Sequence, residues 1–353
     1  MTADPRFQPG VLSEFAAALF AAAGMDADKA DIVARYLVEA DLMGHTTHGL
    51  ALAPGYLDQI ASGRMALTGE PHVVADGGAV VTWDGRTLPG VWLTVKAIEL
   101  ASHRASHHGV GIVAIRCSHH IACLAAFLPL ATDDDKMIIL ATSDPAGRSV
   151  APFGGRKPVF TPDPIAIGIP TPGDPMLIDI SASITTNGMS ARLKAEGKRM
   201  PHPWLLTPGG EPTDDPAVVF ADPPGSILPT GGLDHGHNGF GLALMIEALT
   251  QALSGHGRAD APEGWGASVF VQVMDPAAFG GVDAYLRQTG WLADACRSNP
   301  PRPGVEKVRL PGDSAMARRR DGNANGVALY RGILDGLKAR AATLGVPVPA
   351  ALA

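Results

Sequence analysis

The sequence predicts an α/β protein, a central mixed sheet body with a helical lobe formed by the two ends of the chain. Three observations carry this. Both ends repeat apolar residues at three- and four-residue spacing, the helical period. The middle carries short apolar runs of strand length, set between Gly- and Pro-containing turns. At 353 residues the chain exceeds what one hydrophobic core usually covers, so two lobes are expected. The expected division is 1–72 packed with 315–353 as the helical lobe, and 73–314 as the α/β body.

In chain order, Val11 to Ala23 is apolar and Ala-rich and stops at Gly24, a natural helix end. Asp28 is placed to cap a second helix, in which Ile32, Val33, Tyr36, Leu37 and Ala40 share a face. That helix runs out near Gly44, and His45 to Gly49 lead into a third around Pro54 to Ser62. Val73–Ala75 and Val80–Trp83 then read as strands, and Val91 to Ser106 as a helix. Further strands are predicted at Val110–Ile115, Met137–Ala141, Ile165–Ile169, Met176–Ile180 and Val269–Met274. A Pro/Gly-rich stretch covers 201–230, a helix runs from Leu242 to Leu253 before Gly255, and Tyr330, Ile333, Leu334 and Leu337 share a helical face near the end.

A net charge of −7 argues against a nucleic-acid or anionic-membrane surface, which needs clustered Lys and Arg. The local run Arg318-Arg319-Arg320 reads as a solvated loop. Three cysteines without zinc spacing argue against a disulfide framework. No stretch approaches the roughly 20 apolar residues of a membrane span. The expectation is a soluble cytoplasmic protein.

Histidine is the conspicuous chemical resource. His48 precedes a glycine at a helix boundary, and His119 and His120 follow an apolar strand in Arg116-Cys117-Ser118-His119-His120. His237 lies in Gly236-His237-Asn238-Gly239-Phe240-Gly241, a glycine-rich turn opening a helix, where backbone N–H groups can cradle phosphate. That turn follows no strand of a βαβ unit and lacks a downstream acidic partner for ribose, so a Rossmann fingerprint is absent. His235, His237, His119 and His120 do not make a metal-ligand spacing, and no metal is expected.

Taken in order, these motifs resemble the malate/L-lactate dehydrogenase family, which is unrelated to Rossmann dehydrogenases and includes ureidoglycolate and sulfolactate dehydrogenases and piperideine/pyrroline-2-carboxylate reductases. The resemblance runs from Thr46-Thr47-His48-Gly49 through Ser118-His119-His120, Ala151 to Gly155, Asp179 to Ser183, Leu228 to Gly232 and Gly236 to Leu242, to Arg309 to Asp313. It implies a non-Rossmann α/β fold, a homodimer, and an NAD(P)H-dependent reductase of 2-oxo or cyclic 2-imino acids. His48 matches the family's proton donor and Thr47 the hydroxyl residue beside it. The cofactor, NAD or NADP, is expected to meet His120, Ile121, Ala122, Cys123, Leu124, Asp179, Ile180, Ser181, His237, Asn238, Arg309, Leu310, Pro311, Gly312 and Asp313. The substrate is expected near Leu52, Pro162 and Ala182. Histidine, with an ordinary pKa of about 6.5, can deliver a proton at neutral pH as hydride reaches a carbonyl or imine carbon.

Three positions depart from the family pattern. Leu52 stands where an Arg commonly holds the substrate carboxylate, and a leucine cannot form that bidentate pair. Thr161-Pro162-Asp163-Pro164 replaces a Gly-Thr-Asn-Pro and adds a negative charge. Asn238 replaces a Lys, which disfavours a 2′-phosphate. Arg148, Lys157 and Arg192 are candidates for the missing cation. A neutral, larger or cationic substrate, and a cofactor-binding protein without efficient catalysis, are the alternative expectations.

Overall fold

A computed structural model describes residues 5–352. The chain opens with β1 (Arg6–Phe7), then α1 (Pro9–Ala22), α2 (Ala27–Met43) and α3 (Ala53–Ala61). The hairpin β2 (His72–Asp76) and β3 (Val80–Asp84) leads to α4 (Gly90–His108) and β4 (Val110–Ser118). After α5 (Pro129–Thr132) come β5 (Met137–Ser143), β6 (Pro164–Ile169), β7 (Met176–Ser181) and α6 (Asn187–Ala195). The short strands β8 (Leu205–Leu206), β9 (Pro212–Thr213) and β10 (Ser226–Ile227) precede α7 (Gly232–Glu247) and β11 (Ala267–Met274). The chain finishes with α8 (Val282–Arg297), α9 (Asp313–Asn325), β12 (Val327–Ala328) and α10 (Ile333–Leu344).

The main sheet has the order β2-β3-β4-β11-β5-β6-β7. β3 and β4 run parallel, joined by the α4 crossover, and the other neighbours are antiparallel. The sheet is therefore mixed, as the sequence predicts. Alternation along β11 explains how both faces are covered. Val269, Val271 and Val273 join the core with α1, α2 and α4, while Phe270 joins a second cluster with Ile246 of α7 and Leu205 of β8. β1 pairs antiparallel with β12, Phe7 opposite Val327, and α1 and α3 both contact α10. No helix among the described residues is long and apolar enough to cross a membrane.

Some expectations need correction. Asp26, not Asp28, precedes α2, and Asp28 instead accepts a hydrogen bond from Trp92 Nε1 at 3.0 Å. Arg318, Arg319 and Arg320 lie in α9 rather than in a loop, with Arg319 paired to Glu39 and Arg320 to Asp174. The turn Gly236 to Gly241 lies inside α7, which breaks at His235 (φ −122°). Close packing explains two of its three glycines: a Cβ at Gly239 would sit 2.3 Å from Thr230 N, and one at Gly236 2.9 Å from Phe153, while Gly241 has nothing within 4 Å.

Candidate active site

The His48 segment is shaped by the end of α2. Gly44 adopts φ +89°, and its N–H and that of His45 return to Asp41 and Ala40, closing the helix. Asp41 is buried, and its carboxylate accepts the Leu50 N–H at 2.8 Å. Gly49 lies directly against that carboxylate, where a Cβ would fall 2.4–2.5 Å from its atoms. Burial raises Asp41 to about 7, opposed by the Leu50 N–H and the charge of Arg192. This backing fixes the path of His45 to Gly49.

Within the turn, Thr47 Oγ1 meets His48 Nδ1 at 2.9 Å. A hydroxyl both donates and accepts, so Thr47 serves either ring tautomer and leaves Nε2 for a ligand. Burial pushes His48 down to about 4, assisted by His45 and Arg192. This departs from the ordinary value of about 6.5: the ring is neutral at neutral pH, with a free lone pair but as a weaker base than an ordinary imidazole.

The end of β4 supplies the facing wall. His48 and His120 are nearly parallel, 6.2 Å between ring centroids. Tyr56 of α3 holds His120 by a 2.8 Å hydrogen bond between its hydroxyl and Nδ1, and Trp265 lies 4.7 Å from the His120 ring. His119 is buried against Tyr56 and Trp265 with neither ring nitrogen partnered, and burial lowers it to about 4. Sequence reasoning missed Asp41, Tyr56 and Trp265. Tyr56 reads as part of a helix's apolar stripe, and nothing local links Trp265 to a histidine 145 positions earlier.

The remaining anticipated residues gather beside this wall. Asp179 Oδ2 accepts the Ala125 N–H at 3.0 Å, joining β7 to the run His120 to Leu124. Ile121, Ala122, Cys123 and Leu124 are themselves buried, so contact there falls to backbone and to His120. Thr230 Oγ1 donates to Ser181 O at 2.9 Å, its N–H to Ala182 O at 2.7 Å, and its carbonyl accepts Gly239 N–H, bringing the exposed His237 and Asn238 alongside. Leu177 N–H donates to Pro311 O at 3.0 Å. Gly312 turns at φ +99°, and Asp313 is clipped by Arg297 at 2.7 Å and Leu310 N–H at 2.9 Å. Hydrogen bonds thus tie the stretches 120–125, 230–239 and 309–313 to β7 and the residue after it, with Arg309 exposed and the apolar Ile180 half-exposed.

The departures from the family pattern are also placed. Leu52 packs against the main core. Asp163 does not present a charge to a ligand. It is fully buried at φ +45°, bonded to Thr161 Oγ1 at 2.6 Å, and burial together with Glu247 raises it to about 7. Pro162 beside it is half-buried and Ala182 is buried. Arg148 and Lys157 are exposed. Arg192 of α6 donates to Thr46 Oγ1 and Thr46 O, both at 3.1 Å, and lies over the Tyr330 ring at 3.9 Å. It lines a cavity of about 800 Å³ shared with Ala51, Lys198 and Arg331.

A model of the malate/L-lactate dehydrogenase family matches residues 7–338. This chain is a member of that family. The dehydrogenase is 30% identical over 341 residues to an L-lactate dehydrogenase of Cupriavidus necator, covering 94% of this chain and 96% of the relative. It is 32% identical over 335 residues to a (2R)-3-sulfolactate dehydrogenase (NADP(+)) of Chromohalobacter salexigens, covering 92% and 95%. Its fold matches the crystal structure of malate dehydrogenase from Entamoeba histolytica with a TM-score of 0.92 at 23% identity, over 98% of this chain and 99% of that one. The dehydrogenase is an NAD(P)-dependent oxidoreductase.

Proposed function

We propose that this dehydrogenase interconverts a small 2-hydroxy acid and its 2-oxo acid, with His48 moving the proton and Arg192 holding the carboxylate. The observation that carries the reading is a single turn holding both groups: His48 bonded to Thr47, and the Arg192 guanidinium bonded to the adjacent Thr46. A guanidinium has five N–H donors, and Arg192 spends two on Thr46, leaving donors for a carboxylate. It thereby supplies the cation that Leu52 does not.

The residues fit a nicotinamide dinucleotide. Arg309 offers charge to a diphosphate, and Ile180 offers an apolar face to a ring, on the edge that also carries Ser181, His237 and Asn238. Bound there, the dinucleotide supplies or removes hydride. His48, neutral in the free protein, takes the hydroxyl proton on Nε2 when a 2-hydroxy acid is oxidised, while Thr47 Oγ1 accepts the Nδ1–H before and after. In the reducing direction the ring must first be charged. A carboxylate on Arg192 offsets the smallest of the causes that hold His48 low, which shifts the ring toward the charged form without removing the effect of burial.

A homodimer in a reducing, cytoplasmic compartment completes the reading. Half-exposed Leu233, Leu244, Met245 and Leu253 along α7 and its continuation give a face for a second copy, and Cys117, Cys123 and Cys296 are free thiols. The test is a panel of 2-oxo acids, cyclic 2-imino acids and uncharged carbonyl compounds, followed by loss of NADH or NADPH absorbance. Turnover concentrated on 2-oxo acids supports the reading. Equal turnover of uncharged carbonyls removes Arg192 from it, and dinucleotide binding without turnover of any compound overturns it.

A further inference from the structure

Beside the His48 turn, three side chains from separate stretches converge in a way the proton chemistry does not use. His45 sits in the turn after α2, Cys123 in the buried loop after β4, and Asp179 on β7. One ligand atom of each, an imidazole nitrogen, the thiol Sγ and a carboxylate oxygen, lies within 4.8 Å of the other two. Cys123 Sγ is 4.0 Å from Asp179 Oδ2. Two of the positions are fastened by backbone: Asp179 Oδ2 accepts the Ala125 N–H, and the His45 N–H returns to Ala40 O at 2.8 Å. Without an ion, the thiol makes a weak hydrogen bond to the carboxylate and the imidazole stands by.

We propose that His45, Cys123 and Asp179 bind a zinc ion, or another borderline-soft divalent cation, as its three protein ligands. Zinc–ligand bonds of about 2.0–2.3 Å in a tetrahedron place ligand atoms roughly 3.3–3.7 Å apart, so rotamer adjustments of about an ångström close the site. A thiolate, an imidazole and a carboxylate select zinc over magnesium or calcium, which take oxygen ligands. On binding, Cys123 gives its thiol proton to solvent and the sulfur coordinates as thiolate. Asp179 adjoins the surface assigned above to the dinucleotide, next to Ile180 and Ser181, and the buried Cys123 lies behind it, its Sγ 4.0 Å from Asp179 Oδ2. It follows, resting on that assignment, that ion and dinucleotide exclude one another.

The experiment uses the full chain with Zn²⁺ alone, by equilibrium dialysis and metal analysis, and Co²⁺ as an optical probe of thiolate ligation. One ion per chain is expected, with a thiolate-to-cobalt absorption band in the Co²⁺ form. Cys123→Ser and His45→Ala should each weaken binding about tenfold or more, and His45→Ala, at a half-exposed turn, keeps the test valid if the buried serine prevents folding. The exposed pair His103 and His107, 4.6 Å between ring centroids, is the competing adventitious site. Binding lost in His103→Ala but kept in His45→Ala and Cys123→Ser overturns the proposal, as does the absence of saturable binding. Zinc-loaded protein that takes up dinucleotide with unchanged affinity overturns the exclusion. These readouts need no turnover, so they stand or fall separately from the 2-oxo acid assignment.

Discussion

Replacing His48 and following the pH dependence of oxidation tests the proton assignment most directly. The ring is held at about 4 by burial and by the charges of His45 and Arg192. That is about 2.5 units below the ordinary value, or roughly 3 kcal/mol in favour of the neutral form. At pH 6 such a ring, at about 4, is protonated about 1% of the time, against about 75% for an unperturbed histidine. Because kcat/KM reports the free enzyme, oxidation of a 2-hydroxy acid should stay flat from pH 8 down to about pH 5. It should then fall about tenfold per unit below about 4. An unperturbed general base would already have lost about 30-fold by pH 5. His48→Ala should lower kcat/KM by about 10²–10⁴, which is about 3–5 kcal/mol of transition-state stabilisation, and should abolish the acid limb. The assay is the initial rate of nicotinamide reduction in overlapping buffers. A wild-type limb centred between pH 6 and 7, or a folded His48→Ala enzyme with the same limb, refutes the assignment.

Arg192→Ala should raise KM for 2-oxo acids by roughly 10- to 150-fold, the worth of a charged hydrogen bond of about 1.5–3 kcal/mol, and leave KM for any uncharged substrate unchanged; steady-state kinetics across both classes checks it. Asp163→Asn tests the buried network with Glu247. The native carboxyl is held at about 7, above its unfolded value of 3.8, so wild-type stability falls as pH rises between the two. The Asn variant escapes that loss, and its advantage in urea unfolding should grow from pH 5 to pH 8 by about 2.5 kcal/mol; a constant difference rejects the account. Gly90→Ala puts a Cβ 1.9 Å from the His119 carbonyl oxygen and should destabilise the fold by about 1–3 kcal/mol or more while displacing His120, read by urea unfolding and by residual activity.

The central strands were legible because they bury both faces. Val110 to Ile115 and Val269 to Met274 have almost no polar interruption, and the observed strands extend them by only a few residues. α8 and α9 were illegible for the opposite reason. α9 buries Met316 and Gly322 in thirteen residues and carries three consecutive arginines, while α8 buries Ala293 and leaves Trp291 69% exposed. α9 has no apolar stripe for periodicity to detect, whereas α8 repeats apolar residues at Val282, Leu286, Ala293 and Cys296 but buries that face only in part. In the site, His48 and Thr47 stand in a local motif, so pattern was enough to single them out. Arg192 was one of three candidates until the fold brought it to Thr46 across 146 positions, and Cys123 gave no sign of a neighbour at His45 or Asp179. Sequence does not report the burial of Asp163, which takes its carboxyl away from any ligand and raises it to about 7.

The pairing of β1 with β12 reaches further than two residues. Arg6 also bonds Gly326 O and Asp321, and its carbonyl accepts the Leu352 N–H at 2.8 Å. Positions 6 and 352 are neighbours, so the backbone is almost a closed ring. Trimming seven residues from the front would remove the partner of β12 and the carbonyl that holds Leu352, while α10 keeps its own packing against α1 and α3. A short peptide bridge between the two ends, with a new opening cut at the exposed Gly77-Gly78 hairpin, should yield a permuted chain that still folds.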